Sequence, residues 1–183
     1  MIRESIVITT DLKNKPHVAP MGITFKKSKL IISPFIPSKT YINLKENSYA
    51  VINFTDDLNI FVDALLGKKK FDIEPTKKIK GFYLRNTLSY LEVKVIKFID
   101  NKIRPKFECK ILNKASLGSF KGFNRAQLSV IEAAILVSRL NILPESKIRR
   151  EVNYLKIAID KTAGKKEKTA WKKLIKKINL RFA

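Results

Sequence analysis

The stretch SIVITTDLKNKPHVAPMGITF, from Ser5 to Phe25, holds two segments rich in β-branched residues. The residues between them, Asp11 to Lys15, are typical of a turn, so the stretch predicts a β-hairpin with strands at Ser5–Thr10 and His17–Phe25. The chain therefore begins with a β-rich region, whose sheet is expected to contribute to the core.

Further strands are predicted along the next part of the chain. They lie at 29–33, 49–55, 90–99 and 104–112, and a polar turn at 26–28 precedes the first of them. Six short strands within about 110 residues are typical of a small closed or partly closed barrel. Two short helices, at 38–46 and 58–66, are expected to interrupt it.

The pattern changes after Gly122. Residues 124–140 are helix formers and apolar nearly all round, which predicts a buried helix. Two amphipathic helices follow at 145–160 and 167–180. We therefore expect an α+β protein, with a barrel at 1–117 and a helical C-terminal region at 118–183 that packs on it.

The charge is strongly positive, with 38 Lys and Arg against 16 Asp and Glu and a net charge of +22. Such a surface attracts anionic partners, including nucleic acid. However, Arg supplies only 8 of the 38 basic residues, and specific nucleic-acid readers favour its bidentate fork. A solvated basic surface without a specific nucleic-acid partner is the simpler interpretation.

Several function classes are excluded by residue counts. With one cysteine, Cys109, and one histidine, His17, the chain cannot build a Cys/His zinc site or an internal disulfide, and no G-x-S-x-G motif accompanies the histidine. We expect no metal. The first 15 residues lack the apolar segment of a signal peptide, and no run approaches a membrane span. We expect a cytoplasmic protein that does not engage a membrane.

A candidate anion site lies in PFIPSKTYINL, residues 34–44. Ser38, Lys39 and Thr40 come at the start of a predicted helix, where free backbone N–H groups and the helix dipole favour a phosphate. Alternatively, Ser38 is only the helix N-cap and Lys39 is one lysine among many.

Two strand segments also carry unusual residues. Pro20 cannot donate a ladder hydrogen bond and Gly22 has no side chain, which indicates a sheet edge or a bulge where a flat ligand approaches the backbone. An ordinary irregularity of the sheet is the alternative. Asn53 has both donor and acceptor groups suited to the edge of a heterocycle, although the segment after it resembles a strand-to-helix cap.

The predicted buried helix contains three charged residues seven positions apart, Arg125, Glu132 and Arg139. This spacing places them along one line of the helix, where burial demands partners. Either they form a structural ion network or they line a cavity, and we favour the second. Asn124 and Arg125, at the start of the helix, are further candidates for ligand binding.

Taken together, five ordered segments resemble a family of FMN-binding split-barrel proteins of unknown function. The segments are HVAPMGITF, PFIPSKTYINL, AVINFTDD, GFNRAQLSVIEAAILVSRL and YLKIAIDKTAG. The N-terminal part of this family is similar to flavin reductases and flavoredoxins. The resemblance covers most of the chain, from Arg3 to about Trp171, and implies a homodimer that holds FMN near the subunit interface.

The resemblance also implies roles for particular residues. The FMN phosphate would be bound by Ser38, Lys39 and Thr40, where many relatives have Arg at the position of Lys39. The isoalloxazine would lie against the segment containing Pro20, Met21 and Gly22. The ring edge or ribityl chain would be contacted by Asn53, Phe54 and Thr55, and Asn124 with Arg125 would complete the site.

The function implied is a flavin-dependent oxidoreductase of the flavin reductase-like type, with a small-molecule electron donor and acceptor. Its catalytic residues are unknown, since the flavin itself carries the redox chemistry. No dinucleotide fingerprint is present, so NAD(P)H would dock only transiently. The family context also points to one-carbon metabolism. Alternatives are a non-catalytic FMN-binding or storage protein and a basic nucleic-acid-binding protein.

Overall fold

The computed structural model describes residues 1–26 and 29–183, so part of the turn expected at 26–28 lies outside the described residues. The strands and helices in these ranges are β1 Ile2–Thr10, β2 Pro16–Lys26, β3 Lys29–Ile32, α1 Lys39–Asn47, β4 Tyr49–Phe54, α2 Leu58–Leu65, β5 Ile73–Pro75, β6 Phe82–Leu84, β7 Ser89–Ile99, β8 Lys106–Ser116, α3 Arg125–Ser138, α4 Glu145–Thr162 and α5 Lys165–Arg181.

Six strands form a closed antiparallel barrel in the order β1-β2-β3-β8-β7-β4, with β4 pairing back to β1. This confirms the barrel expected from the sequence. The long pair β7 and β8 contains two irregularities of register, between Glu92 and Val93 and between Val95 and Lys97. Such bulges increase strand twist, which helps a small sheet to close. The two-stranded sheet of β5 and β6 was not expected.

Apolar side chains from every barrel strand fill the interior, including Val7, Ile23, Leu30, Ile32, Ile52, Val93 and Phe107. Cys109 lies among them with no exposed surface. Burial raises the pKa of its thiol to about 12, so the reactive thiolate is disfavoured. The cysteine is therefore a core residue of the barrel.

Glu92 on β7 is a buried charged residue that lies between Leu91 and Val93, two residues of the barrel core, but is not itself part of that apolar cluster. Its side chain is 0% exposed, and its carboxylate accepts hydrogen bonds from the backbone N–H groups of Lys77, Lys78 and Ile79. The amide of Asn113 on β8 donates a fourth bond of 2.7 Å. The alternation of apolar and polar residues places Glu92 on the polar side of β7, but the segment 77–79 covers its side chain.

The chain divides into two compact units, one of residues 1–55 and 69–120 and the other of residues 56–68 and 121–183. The first contains the barrel with α1, β5 and β6. The second contains the C-terminal helices together with α2, which the sequence analysis had placed among the barrel strands. Because α2 buries Leu58, Phe61 and Val62 and packs on α3 and α5, it belongs to the helical unit.

In the helical unit, α3, α4 and α5 share a core that includes Val130, Ala133, Ile148, Ile159 and Leu174. Two ion pairs tie α2 and the residue before it to α5: Asp57 with Lys166, and Asp63 with Lys173. No helix in residues 1–26 or 29–183 combines the length and apolarity needed to cross a membrane.

The prediction that α3 is buried nearly all round is wrong. Arg125, Glu132 and Arg139 do lie along one line, as their spacing requires, but all three are exposed. The buried face of α3 consists of small and apolar residues on the opposite side, such as Ala126 and Val130. The charged line therefore faces solvent, which removes the reason to expect a buried ion network or a charged cavity.

Candidate functional site

The candidate site is built around the start of α1 in the barrel unit. Ser38 is the N-cap, with an extended backbone (φ −144°, ψ 154°), and its Oγ accepts a hydrogen bond of 3.2 Å from the Tyr41 N–H. Two amides hold the helix on β1: Asn43 donates to the Thr9 hydroxyl, and Asn47 donates to the Thr10 hydroxyl. Neutral hydrogen bonds thus cap the beginning of α1 and hold its middle and its end on β1.

Two backbone donors remain available at this end of α1. Within the described part of the chain, the N–H groups of Lys39 and Thr40 make no hydrogen bond. Thr40 as a whole is only 1% exposed, and its hydroxyl makes no hydrogen bond in residues 1–26 or 29–183. The hydroxyl is not among the fully buried side-chain atoms without a partner, so it keeps contact with solvent. A hydroxyl without an acceptor beside two unsatisfied N–H groups suits an oxyanion, because all three can donate to it.

The charge at this point is also positive. The Lys39 side chain is exposed beside an open groove of about 410 Å³, which is further lined by Asp11, Ser38, Ile42, Asn43 and Glu46. The Asp11 carboxylate is already engaged, since its Oδ1 accepts the N–H groups of Lys13 and Lys15. The dipole of α1 adds to the positive potential of Lys39. Of the three residues of this segment that the sequence analysis identified, Ser38 and Lys39 line the groove, and Thr40 does not.

His17 on β2 lies close to the same site and was not among the predicted ligands. Burial, and after it the charge of Lys39, lowers the pKa of His17 below its ordinary value. Sequence analysis considered His17 only as a catalytic base, because nothing in the sequence shows which residue of α1 a strand residue will face.

The second predicted ligand segment, Pro20 to Gly22, lies on an edge of β2. The pairing of β2 with β1 is continuous from Pro16 to Thr24, so of the two predicted alternatives, an edge or a bulge, the bulge is absent. The other edge pairs with β3 only from Thr24 onward, which leaves Pro20, Met21 and Gly22 at an edge, as predicted. A Cβ at Gly22 would lie 2.8 Å from Ile2 Cγ2, which is closer than two carbon atoms can pack. The close packing of β2 on β1 therefore favours glycine at this position.

The side chain of Asn53 is committed to the barrel. It is 0% exposed, its Nδ2 donates to the carbonyls of Ile6 and Val51, and its Oδ1 accepts the N–H of Leu84 at 2.8 Å. These bonds use both amide donors and the oxygen, so the structure does not present the Asn53 side chain to a ligand. The expectation that it reads a heterocycle edge is therefore corrected to a structural role.

The two residues after Asn53 are less enclosed. Phe54 is partly buried, and its ring lies 6.3 Å from that of Phe25. The Thr55 hydroxyl donates to the Asn86 carbonyl at 3.3 Å. Phe54 offers an aromatic surface at the end of β4, whereas Thr55 holds the chain where it leaves the barrel.

Asn124 and Arg125 belong to the helical unit. Asn124 is the N-cap of α3: its Oδ1 accepts the Ala126 N–H at 2.8 Å, and its Nδ2 donates to the Thr162 carbonyl at 3.0 Å. Its side chain thus joins the start of α3 to the end of α4. Arg125 is exposed. These contacts give Asn124 a structural role and leave the guanidinium of Arg125 in solvent.

The described residues contain no group of three His, Cys, Asp or Glu side chains placed to hold a metal ion. The barrel unit contains unsatisfied hydrogen-bond donors at the start of α1, which make a candidate oxyanion site, with an edge strand and an aromatic side chain elsewhere in the same unit. This arrangement can bind and orient a phosphorylated ligand, and redox chemistry would have to come from that ligand.

Comparison with known proteins identifies the family. A family model described as the N-terminal domain of a protein of unknown function, DUF447, matches residues 3–117, and a second DUF447 model matches residues 124–176. An uncharacterized protein of Methanocaldococcus jannaschii, MJ1453, is 29% identical over an alignment of 203 positions, gaps included, which covers 98% of this chain and all of the relative.

Solved structures show the same fold. The FMN-bound protein MM1853 from Methanosarcina mazei, a DUF447 protein, is 21% identical with a TM-score of 0.85, and the match covers 96% of this chain and 94% of that one. A flavoredoxin from Methanosarcina acetivorans is 13% identical with a TM-score of 0.53, covering 63% and 69% of the two chains. These likenesses confirm the split barrel with a helical C-terminal region, and by both of its matched segments the chain is a member of the DUF447 family.

Proposed function

We propose that this protein binds FMN and uses it as an oxidoreductase of the flavin reductase-like type. The observation that carries the proposal is the start of α1, where the N–H groups of Lys39 and Thr40 and the Thr40 hydroxyl lack acceptors within the described part of the chain. The FMN-bound relative of the same family, whose fold matches over 96% of this chain, supports FMN as the ligand.

The residues present fit the phosphate of FMN. The two N–H groups and the hydroxyl could each donate to a phosphate oxygen, and the Lys39 ammonium would supply a compensating charge. A lysine acts here as a point charge and lacks the bidentate geometry of arginine. The exposed edge of β2 at Pro20 to Gly22 would then support the flat ring.

When bound, FMN supplies the hydride or electron transfer, while the chain binds and orients it. The first experiment is the visible absorption spectrum of the purified protein, followed by titration with FMN if the protein is colourless. Reduction of the bound flavin is then followed with NADH, NADPH and a low-potential donor. Turnover supports the oxidoreductase, and binding without turnover supports a storage protein.

Replacing Lys39 tests the phosphate assignment. We expect Lys39→Ala to weaken FMN binding by about tenfold or more, because it removes the ammonium beside the phosphate. Riboflavin, which has no phosphate, should bind both proteins equally.

The matched control for this variant is Lys45→Ala, which removes the same charge from the last turn of α1. FMN affinity should be nearly unchanged in that control. If the two variants lose the same affinity, the effect comes from the overall charge and the phosphate does not bind at Lys39.

We also propose a homodimer, as the family resemblance implies. Ile96, Ile99 and Leu112 on β7 and β8 are 48%, 37% and 40% exposed and supply apolar surface for such a contact. Light scattering should give twice the mass of one chain, and the mass of one chain would reject the dimer. The cytoplasmic location and the link to one-carbon metabolism stay predictions.

A further inference from the structure

His17 faces the side of the barrel that α1 covers. It is paired directly with Thr9 on β1, and residues directly opposite each other on antiparallel strands point to the same face of the sheet. The Thr9 hydroxyl accepts a hydrogen bond of 2.9 Å from Asn43 on α1, which shows that this face lies under the helix. The imidazole therefore lies beneath α1.

Along α1, Lys39 lies one turn before Asn43 and shares its side of the helix. Lys39 therefore carries one of the free N–H groups at the helix start and lies on the side of α1 that contacts Thr9. Burial and, after it, the charge of Lys39 lower the pKa of His17, in agreement with this placement of the two side chains.

The half-buried imidazole has no hydrogen bond in residues 1–26 or 29–183. Lys39 is the charged residue that affects the pKa of His17, and the carboxylates that line the groove beside Lys39 are Asp11 and Glu46. The β1–β2 turn that precedes His17 also contains Lys13 and Lys15. Asp11 is engaged with backbone N–H groups, and Glu46 lies about two turns further along α1. In the free protein, therefore, His17 faces a lysine without a hydrogen-bonded carboxylate.

We propose that His17 is a further ligand of the flavin phosphate and takes up a proton when FMN binds, so that FMN affinity depends on pH. This inference rests on the proposed function. A phosphate dianion placed between Lys39 and the imidazole would offset the repulsion that arises when His17 is protonated, and it would provide the acceptor that the imidazolium N–H needs.

The direction of the pH dependence follows from linkage. Burial and Lys39 keep His17 neutral near pH 7 in the free protein, and the bound phosphate favours the charged form. FMN affinity therefore increases as the pH falls from the titration midpoint of the complex to that of the free protein. The phosphate itself takes up a proton near pH ~6, so the effect is measured above that value.

Proton NMR tests this directly, because the chain contains a single histidine and its imidazole signals need no assignment among several. The titration midpoint is measured for the free protein, for the riboflavin complex and for the FMN complex. We expect the midpoint to rise in the FMN complex and to stay at the free-protein value with riboflavin. Equal midpoints in the two flavin complexes would overturn the inference.

Binding measurements provide the second readout. We expect wild-type protein to bind FMN about tenfold more tightly at pH ~6.5 than at pH ~8.5, and His17→Gln to lose most of this difference. Riboflavin affinity should not depend on residue 17. If FMN binds and its pH profile is the same in both proteins, this inference fails while the proposed function stands; if neither flavin binds, both fail.

Discussion

Glu92 in the barrel unit and Asp63 in the helical unit are both carboxylates that hold a segment of chain in place, but by different means. Glu92 has no exposed surface and is surrounded by four neutral N–H donors. The Asp63 side chain is 17% exposed, and its partners are the ammonium groups of Lys68 and Lys173. The charge of Glu92 is thus stabilised by N–H dipoles held in fixed positions. The charge of Asp63 is stabilised by the ammonium groups of two flexible lysine side chains.

This difference predicts how strongly each unit is destabilised by a substitution and by salt. A buried carboxylate with neutral donors is shielded from salt, but the loss of one acceptor leaves donors unpaired in a low-dielectric interior. An exposed ion pair is weakened by salt and contributes little, because water replaces each partner. We therefore expect large, salt-independent effects in the barrel unit and small, salt-dependent effects in the helical unit.

The largest effect should come from Glu92→Gln. The amide keeps the size of the side chain but replaces one acceptor oxygen with an NH2 group that points at backbone N–H donors. We expect the free energy of unfolding to fall by about 2–3 kcal/mol, independent of salt. Urea unfolding followed by circular dichroism measures it, and hydrogen exchange should accelerate at the amides of Lys78 and Ile79.

The control for this variant is Glu108→Gln on β8. The Glu108 carboxylate lies 3.6 Å from the Lys29 ammonium and is partly exposed, so its replacement should cost less than about 0.5 kcal/mol. If the two variants destabilise the protein equally, the contrast between buried and exposed carboxylates does not hold for the barrel.

An intermediate effect is expected from Asn124→Ala. This variant removes the N-cap of α3 and the bond from Asn124 to the Thr162 carbonyl, and it should cost about 1–2 kcal/mol. The single tryptophan, Trp171, lies buried in α5 and reports unfolding of this unit by fluorescence. Asn153→Ala, at an exposed position within α4, should cause no loss. Equal loss in both variants would mean that the cap contributes nothing specific.

The smallest effect should come from Asp63→Asn, at about 0.5 kcal/mol in low salt and close to zero in ~1 M salt. Partial burial opposes ionisation of Asp63, but hydrogen bonds and charges of Lys173 and Lys68 lower its pKa below the ordinary value. Its contribution is therefore complete above the pKa of the unfolded state and is lost as the pH falls through the folded value.

Fluorescence of Trp171 against urea concentration, at neutral and at acid pH, checks the Asp63→Asn prediction. The difference between wild type and variant should disappear at acid pH, where Asp63 is protonated in both the folded and unfolded chain. If the difference persists in ~1 M salt, Asp63 behaves like Glu92, and the expected contrast between the two carboxylates is wrong.

The elements that sequence analysis predicted are those with a strong local pattern. The β-branched run at Ser5–Thr10 and the apolar stripe of Ile148, Val152 and Leu155 each specify one kind of element, and the structure contains both. The strands β5 and β6 were missed because three residues are too few to show an alternation.

What sequence analysis could not predict depends on contacts between distant segments. Whether the charged line of α3 faces a core or solvent is decided by the helices around it, and the burial of Glu92 is decided by a segment 13 to 15 positions earlier in the chain. The helix-start residues Ser38 to Thr40 were predictable from local chemistry, whereas His17 required the register of β1 with β2 and the contact between β1 and α1.

The position of Cys109 makes the opening of the barrel unit measurable by thiol labelling. Since its thiol is enclosed in the barrel core and strongly disfavours the thiolate, an alkylating reagent can react only after the strands around it separate. The rate of thiol labelling therefore measures how often the barrel opens. Because fluorescence of Trp171 follows the helical unit in the same sample, the order in which the two units open can be timed without adding a label to the chain.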